Sequence, residues 1–178
     1  MRKIILSMMV SVDGFIETPG EDINWHNWDE EMNAYMMSFF DTVDTFIYGR
    51  KSYELMIKYW PSETGDFADR MNETPKIIFS RNLKNVSWNS RLIKEFVREE
   101  MEEIKQQPGK DIVLFAGADI ASSFIKNGLI DEYRLIVNPV ALGEGTPLFK
   151  NLENHLKLNL LSSKSFKCGN ILSIYSAA

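Results

Sequence analysis

Tyr48-Gly49-Arg50-Lys51-Ser52-Tyr53 is the hexapeptide around which the chain is read. An apolar run beginning at Val43 ends abruptly at Gly49, and a helix-like segment follows through Tyr53, Leu55 and Met56. A strand that breaks at glycine and restarts as a helix is suited to hold an anion. Glycine lets the backbone approach closely, the first helical N–H groups have no intrahelical partner, and the dipole favours negative charge there. Arg50 and Lys51 add formal positive charge and Ser52 adds a hydroxyl donor, so a phosphate or pyrophosphate is the natural guest. The alternative is that Gly49 merely ends a strand while Arg50 and Lys51 stay in solvent.

Upstream, Lys3 to Val10 is almost wholly apolar, as in a strand buried on both faces. The run is interrupted by Ser7 and closes at Ser11-Val12-Asp13-Gly14. Arg2-Lys3 ahead of it superficially resembles a signal peptide, but no small-residue cleavage pattern follows. A loop holding Thr18-Pro19-Gly20 then extends to about Trp28, a place where lids and substrate-binding segments sit, or else a plain surface excursion. Asp29 to Phe40 reads as an amphipathic helix, with Met32, Tyr35, Met36, Phe39 and Phe40 at helical spacing. Carboxylates in its first turn are favoured by the dipole in any protein. Asp29 nevertheless points nearer the apolar stripe than Glu30 or Glu31, which makes it a candidate substrate anchor or proton relay.

Downstream, the second helix runs from Arg50 to about Tyr59 and stops at Trp60-Pro61. Ser62 to Asn72 is polar with one short helical stretch, and Lys76 to Ser80 is a third strand closing on Arg81, a second candidate phosphate contact. Asn85 to Trp88 reads as a short edge strand and Ser90 to Lys105 as one helix whose charge run is its solvated face. Asp111 to Ala116 is a buried strand entering a second small-residue turn, Ala116-Gly117-Ala118-Asp119-Ile120, and a helix that ends at Asn127-Gly128. The alternating glycines of a Rossmann fingerprint are absent. Ile130 to Val137 is a strand, Gly143-Glu144-Gly145 lies in a loop, and Leu156 to Ser163 and Asn170 to Tyr175 form a closing antiparallel hairpin turning near Lys167-Cys168-Gly169-Asn170. The pattern predicts one α/β domain over residues 1–178, mostly parallel, with an antiparallel edge.

Composition narrows the function classes. A net charge of −5 argues against a nucleic-acid or anionic-membrane surface, and no segment is long enough to span a bilayer. The single cysteine, Cys168, excludes an internal disulfide framework and fits a reducing compartment, so a cytoplasmic location is expected. Two histidines and one cysteine do not predict a metal site. His26 and His155 are isolated and receive no catalytic role, while Trp28, Trp60, Trp88 and most of the nine methionines are assigned to packing.

Taken in order, Ser11-Val12-Asp13-Gly14-Phe15-Ile16, the Gly49 hexapeptide and Ile77-Ile78-Phe79-Ser80-Arg81 resemble the dihydrofolate-reductase-like superfamily. Gly117, Gly128-Leu129-Ile130-Asp131-Glu132 and Leu142-Gly143-Glu144-Gly145-Thr146-Pro147-Leu148-Phe149 make the chain more similar to the branch containing the reductase domain of riboflavin biosynthesis. The resemblance implies a three-layer α/β/α fold and NADPH as cofactor. Gly49, Arg50, Lys51 and Ser52 would hold its pyrophosphate, with Ala116, Gly117, Ala118, Asp119 and Ile120 on the other side. Ser80 and Arg81 would meet the adenosine ribose and its 2′-phosphate. Met9, Val10 and Asp13 would border the nicotinamide. Ile16, Trp25 and Asp29 complete the expected substrate side, with Asp13 and Asp29 as the catalytic candidates. The implied activity is hydride transfer to a pyrimidine- or pterin-like heterocycle, resembling 5-amino-6-(5-phosphoribosylamino)uracil reductase. A dihydrofolate reductase in the strict sense, or a non-catalytic nucleotide-binding module on the same fold, are the alternatives. No basic cluster for a substrate phosphate is evident. Relatives in this branch pair through their late strands, which implies a homodimer.

Overall fold

The computed structural model describes residues 1–115 and 117–178; Ala116, expected in the second turn, lies outside them. The first apolar run forms β1 (Ile4–Ser11), followed by a short β2 (Phe15–Glu17) and α1 (Glu30–Phe40). Then come β3 (Val43–Gly49), α2 (Arg50–Tyr59), a 3₁₀ turn at Trp60–Ser62, α3 (Asp66–Glu73), β4 (Lys76–Phe79) and β5 (Ser90–Ile93). The chain continues through α4 (Arg98–Gln106), β6 (Asp111–Leu114), α5 (Ala118–Lys126) and β7 (Glu132–Asn138). It ends with β8 (Thr146–Pro147), β9 (Leu158–Ser165) and β10 (Ile171–Ala177).

Eight strands make one sheet in the order β5-β4-β3-β6-β1-β7-β10-β9. The six strands from β5 to β7 pair in parallel, whereas β10 is antiparallel to both β7 and β9. The expected closing hairpin is therefore present, at the sheet's edge. Strand alternation assigns the two faces. Ile4, Leu6 and Val10 pack with Met101 and Ile104 of α4 and with Ala121 and Phe124 of α5. Ile5 and Met9 face the other way, among Met32, Met36 and Phe40 of α1, Tyr53 of α2 and Met71 of α3. The result is the three-layer α/β/α arrangement, each apolar helix stripe covering one face of a sheet whose central strands are buried on both.

Two expectations fail locally. The predicted edge strand Asn85–Trp88 is irregular, and Trp88 and Asn89 take left-handed φ values of 64° and 50°. The predicted helix from Ser90 begins instead as β5, which pairs in parallel with β4 from Lys76↔Ser90 to Phe79↔Ile93; helix starts only at Arg98. The open edge of β4 supplies backbone donors and acceptors that a helix over Ser90–Ile93 would leave unpaired, and this overrides the helical spacing of the apolar residues. β2 was also not read from sequence. It is three residues long and exists by pairing with β8, which lies far along the chain.

Candidate functional site

β3 and β6 lie side by side in the sheet, Ile47 opposite Leu114, yet their continuations diverge. From β3 the chain passes through α2 outward to β4, whereas from β6 it passes through α5 to β7 beyond β1. Strands that diverge in this way leave a crevice at their carboxyl ends, where α/β sheets bind ligands. Both glycine turns read from sequence meet there. Gly49 and Gly117 are the N-cap residues of α2 and α5, in extended conformation, and neither helix has a side-chain cap. A methyl group on Gly49 would come within 3.2 Å of Ile120 Cγ2, and one on Gly117 within 3.6 Å of Ser52 Oγ, so the two turns are in contact. Two helix starts with unpaired N–H groups thus border one crevice and supply a positive field.

The cations flanking this cradle are held by neighbouring carboxylates. Arg50 bonds Glu54 at 2.8 Å and Lys51 pairs with Glu21. Asp119, exposed in the first turn of α5, pairs with Lys150 at 2.5 Å. Ser80 Oγ accepts from the N–H groups of Asn82 (3.2 Å) and Leu83 (3.1 Å), which folds the chain back after β4. Phe79 is opposite Gly49 in the β3–β4 register, so Arg81, two residues on, stands at the same end of the sheet. Arg81 is exposed and has no ion-pair partner among the described residues.

Beside the cradle lies a cavity of about 570 Å³, and Ser52 and Gly117 belong to both. Its floor is the carboxyl half of the sheet, with Ser7 and Met9 of β1, Tyr48 of β3, Phe115 after β6 and Ile136 of β7. Asn33, Met36 and Phe40 of α1 form one wall, and Met56 of α2, Trp60 of the 3₁₀ turn and Phe67 and Met71 of α3 form another. Ile16, Ile23 and His26 cover it from the loop after β1. Trp28, Leu55 and Tyr59, about half exposed, make an apolar rim. Trp28 and Trp60, assigned to packing from sequence, are thus cavity residues.

Three polar atoms of residues in this wall have no hydrogen-bond partner among the described residues: Ser7 Oγ, Tyr48 Oη and His26 Nε2. Ser7 is 3% exposed and Tyr48 0%. Burial pushes the Tyr48 phenol pKa up. Burial also pulls the His26 imidazole down to about 4 against a smaller opposing effect of Asp22, so the ring is neutral at physiological pH.

The remaining expected residues divide. Met9 and Ile16 line the cavity; Val10, on the opposite side of β1, packs in the α4/α5 layer. Trp25 donates from Nε1 to Asp22 O at 3.1 Å and packs edge-on to His26, outside the cavity wall. Asp13 accepts from Ser11 Oγ (2.6 Å), Gly143 N (2.7 Å) and Leu142 N (3.1 Å), bonds that hold its carboxyl at a pKa of about 2. It fastens the turn after β1 to the Gly143 loop. Asp29 caps α1 through Met32 N (2.8 Å) and accepts from Cys168 N (2.7 Å); the Met32 bond is the first cause of its lowered pKa. Neither carboxylate is in the cavity wall, and the polar residue of α1 that lines it is Asn33, one turn later. The reading of Asp29 as inward followed helical periodicity, but at the N-cap the backbone is extended and the side chain turns back onto its own helix.

Comparison with known proteins places these features. A family model described as the RibD C-terminal domain matches residues 2–172. The chain belongs to the RibD C-terminal domain family. The chain is similar to the uncharacterized protein YyaP of Bacillus subtilis (strain 168), with 34% identity over an alignment of 179 positions that covers 98% of this chain and 94% of YyaP. A crystal structure of a candidate riboflavin biosynthesis protein from Shewanella sp. PV-4 superposes with a TM-score of 0.80 at 21% identity, covering 100% of this chain and 99% of that one. Dihydrofolate reductase from Enterococcus faecalis, complexed with NADP(H), gives a TM-score of 0.67 at 12% identity over 98% of this chain and 96% of its own. These two structural likenesses are of fold. The RibD C-terminal domain of this chain accordingly has a reductase-type fold with the dihydrofolate-reductase-like sheet.

Of the cavity residues that sequence reasoning passed over, Ser7 carried a signal: it is the polar residue inside an otherwise apolar strand. The Tyr48 phenol and Asn33 carried none, because only packing decides which strand face and which helix turn meet the cavity.

Proposed function

We propose that the protein is an NADPH-dependent reductase that transfers hydride to a pyrimidine- or pterin-like heterocycle, acting as one domain in the cytoplasm. The observation that carries this reading is the pair of glycine-capped helix starts bordering one crevice that opens, through Ser52 and Gly117, into an aromatic-walled cavity. The crevice suits a diphosphate, because unpaired N–H groups and helix dipoles bind anions and no side chain caps either helix. Arg81, standing past the end of β4 without an ion partner among the described residues, suits a ribose 2′-phosphate. Bound NADPH would supply the hydride. The chain's own work is orientation and exclusion of water: Met9, Ile16 and Phe115 are apolar surfaces where cradle and cavity meet. The RibD C-terminal domain family, and a fold shared with a 5-amino-6-(5-phosphoribosylamino)uracil reductase from Thermotoga maritima and with a reductase complexed with NADP(H), support the same reading.

The test is titration of the purified protein with NADPH and with NADH, followed by tryptophan fluorescence. NADPH-preferring saturation is expected, and Arg81→Ala should erode the preference. Absence of saturable binding to either nucleotide overturns the reading. The homodimer belongs to the same proposal: β9 is an open edge strand, and Leu160, Leu161 and Ile171 leave large apolar side chains exposed near it. Light scattering should give twice the chain mass.

A further inference from the structure

The substrate cavity has an unusual balance of groups. Its charged lining residues, among those described, are both acidic, Glu17 and Glu63; no lysine or arginine reaches it. The nearest candidates for an anion anchor are engaged elsewhere. Arg134, beside Ser7 in the β1–β7 register, is held by Glu132 at 2.7 Å and by Tyr35 Oη at 3.2 Å, and its guanidinium lies 4.0 Å over the Phe39 ring. Lys51 and Arg50 pair with Glu21 and Glu54 on the cradle side. A phosphate or carboxylate entering this cavity would lose its hydration without a countercharge and would meet two carboxylates, which is strongly unfavourable.

Against that apolar, weakly acidic lining stand the three orphaned polar atoms. Buried donors and acceptors are almost always paired, and an unpaired one destabilises the free protein. All three belong to residues that line one cavity, two of them on side chains more than nine-tenths buried, and a ligand seated there is a partner that the described residues do not supply. Serine and tyrosine hydroxyls each donate and accept, and a neutral imidazole donates from one nitrogen and accepts at the other, so the matched surface is an uncharged edge of mixed donors and acceptors. The methionine and aromatic walls suit a flat ring system.

Resting on the reductase reading for the identity of the cavity, we propose that the substrate is a planar heteroaromatic compound, uncharged or cationic, that carries neither phosphate nor carboxylate. Its polar edge is read by Ser7 Oγ, Tyr48 Oη and His26 Nε2. The chain thereby differs in substrate class from an enzyme acting on a phosphoribosyl compound, although it shares that fold.

The test is calorimetric titration of the full chain with two probes that differ in one group, 6-hydroxymethylpterin and its diphosphate ester, each repeated with NADPH as a separate titrant. The unesterified pterin should bind at least tenfold more tightly than the ester. Ser7→Ala and Tyr48→Phe should each weaken pterin binding by roughly two- to tenfold, the loss of one neutral hydrogen bond, while keeping or raising the thermal midpoint. Equal or tighter binding of the ester, pterin affinity unchanged in both variants, or no pterin binding overturns the proposal. NADPH binding without that pterin selectivity would refute the substrate class and leave the reductase reading standing. Pterin binding through Ser7 and Tyr48 without NADPH binding would do the reverse.

Discussion

Replacing Tyr48 by Phe should stabilise the free protein. The side chain is fully buried, its ring stacks on Trp88 and on Phe115 with centroids 6.2 Å from each, and its hydroxyl has no partner among the described residues. Phenylalanine keeps the ring and both stacking contacts and removes only the oxygen. An unsatisfied buried polar group costs about 1–3 kcal/mol, so the substitution should recover some or all of that. In a chain of 178 residues each kilocalorie is worth roughly 2–4 °C of thermal midpoint, so the expected rise is at least about 2 °C. Tyr53, one turn into α2, provides the control. Its hydroxyl accepts from Ser87 N at 3.0 Å, and Tyr53→Phe should lower stability by about 0.5–1.5 kcal/mol. Scanning calorimetry and urea titration at constant m value read both variants. If Tyr48→Phe melts at or below the parent while Tyr53→Phe melts lower, the Tyr48 hydroxyl is satisfied in the free protein and the orphan argument is refuted.

Three further outcomes follow from the same geometry. Gly117→Ala should fold normally, because φ is −67° and the new methyl meets only Ser52 Oγ at 3.6 Å, yet it should weaken NADPH binding by narrowing the cradle; equal affinity would remove Gly117 from the site. Asp29→Ala should lower the thermal midpoint by roughly 2–4 °C through loss of the helix cap and of the bond to Cys168 N, leaving NADPH affinity intact. His26, whose folded pKa of about 4 lies below the ordinary 6.5, should make the protein lose stability as pH falls from 6.5 towards 4, since over that window the unfolded chain takes up a proton that the folded chain refuses. His26→Gln should flatten this slope in pH-dependent melting, and an unchanged slope would assign it to other groups.

The apolar core strands, their mostly parallel arrangement and the two glycine turns were legible in the sequence because each is marked by a local event: an apolar run, a small residue, a helix start. Ser52 and Gly117 were found for the same reason and Met9 and Ile16 through the family resemblance, and all four line the cavity. What was not legible depends on partners far away. The N–H of Cys168 takes one oxygen of Asp29 from 139 residues downstream, and the Gly143 loop takes both oxygens of Asp13 from 130 residues away. Nothing near Asp29 or Asp13 in the sequence announces these acceptor roles. Ser90–Ile93 misled in the opposite direction, its apolar spacing fitting a helix until the free edge of β4 recruited it. The polar atoms of the cavity were half visible: Ser7 broke an apolar run, whereas Tyr48 looked like one more strand residue.

The loop after β1 is tied down at its far end as well. Asn27 N donates to Asn138 Oδ1 at 2.8 Å, Asn27 Nδ2 to Cys168 O at 2.9 Å, and Asn170 Nδ2 back to Asn27 O at 2.8 Å. Those partners belong to β7 and to the turn between β9 and β10, elements made late in synthesis. During translation Trp28 can already meet Phe67 of α3, but Asn27 lacks its three partners until β7 and the hairpin turn have emerged. The nascent protein can form its first strands and helices early, but the bonds that fasten the roof of its cavity close only once Asn138, Cys168 and Asn170 have all been made.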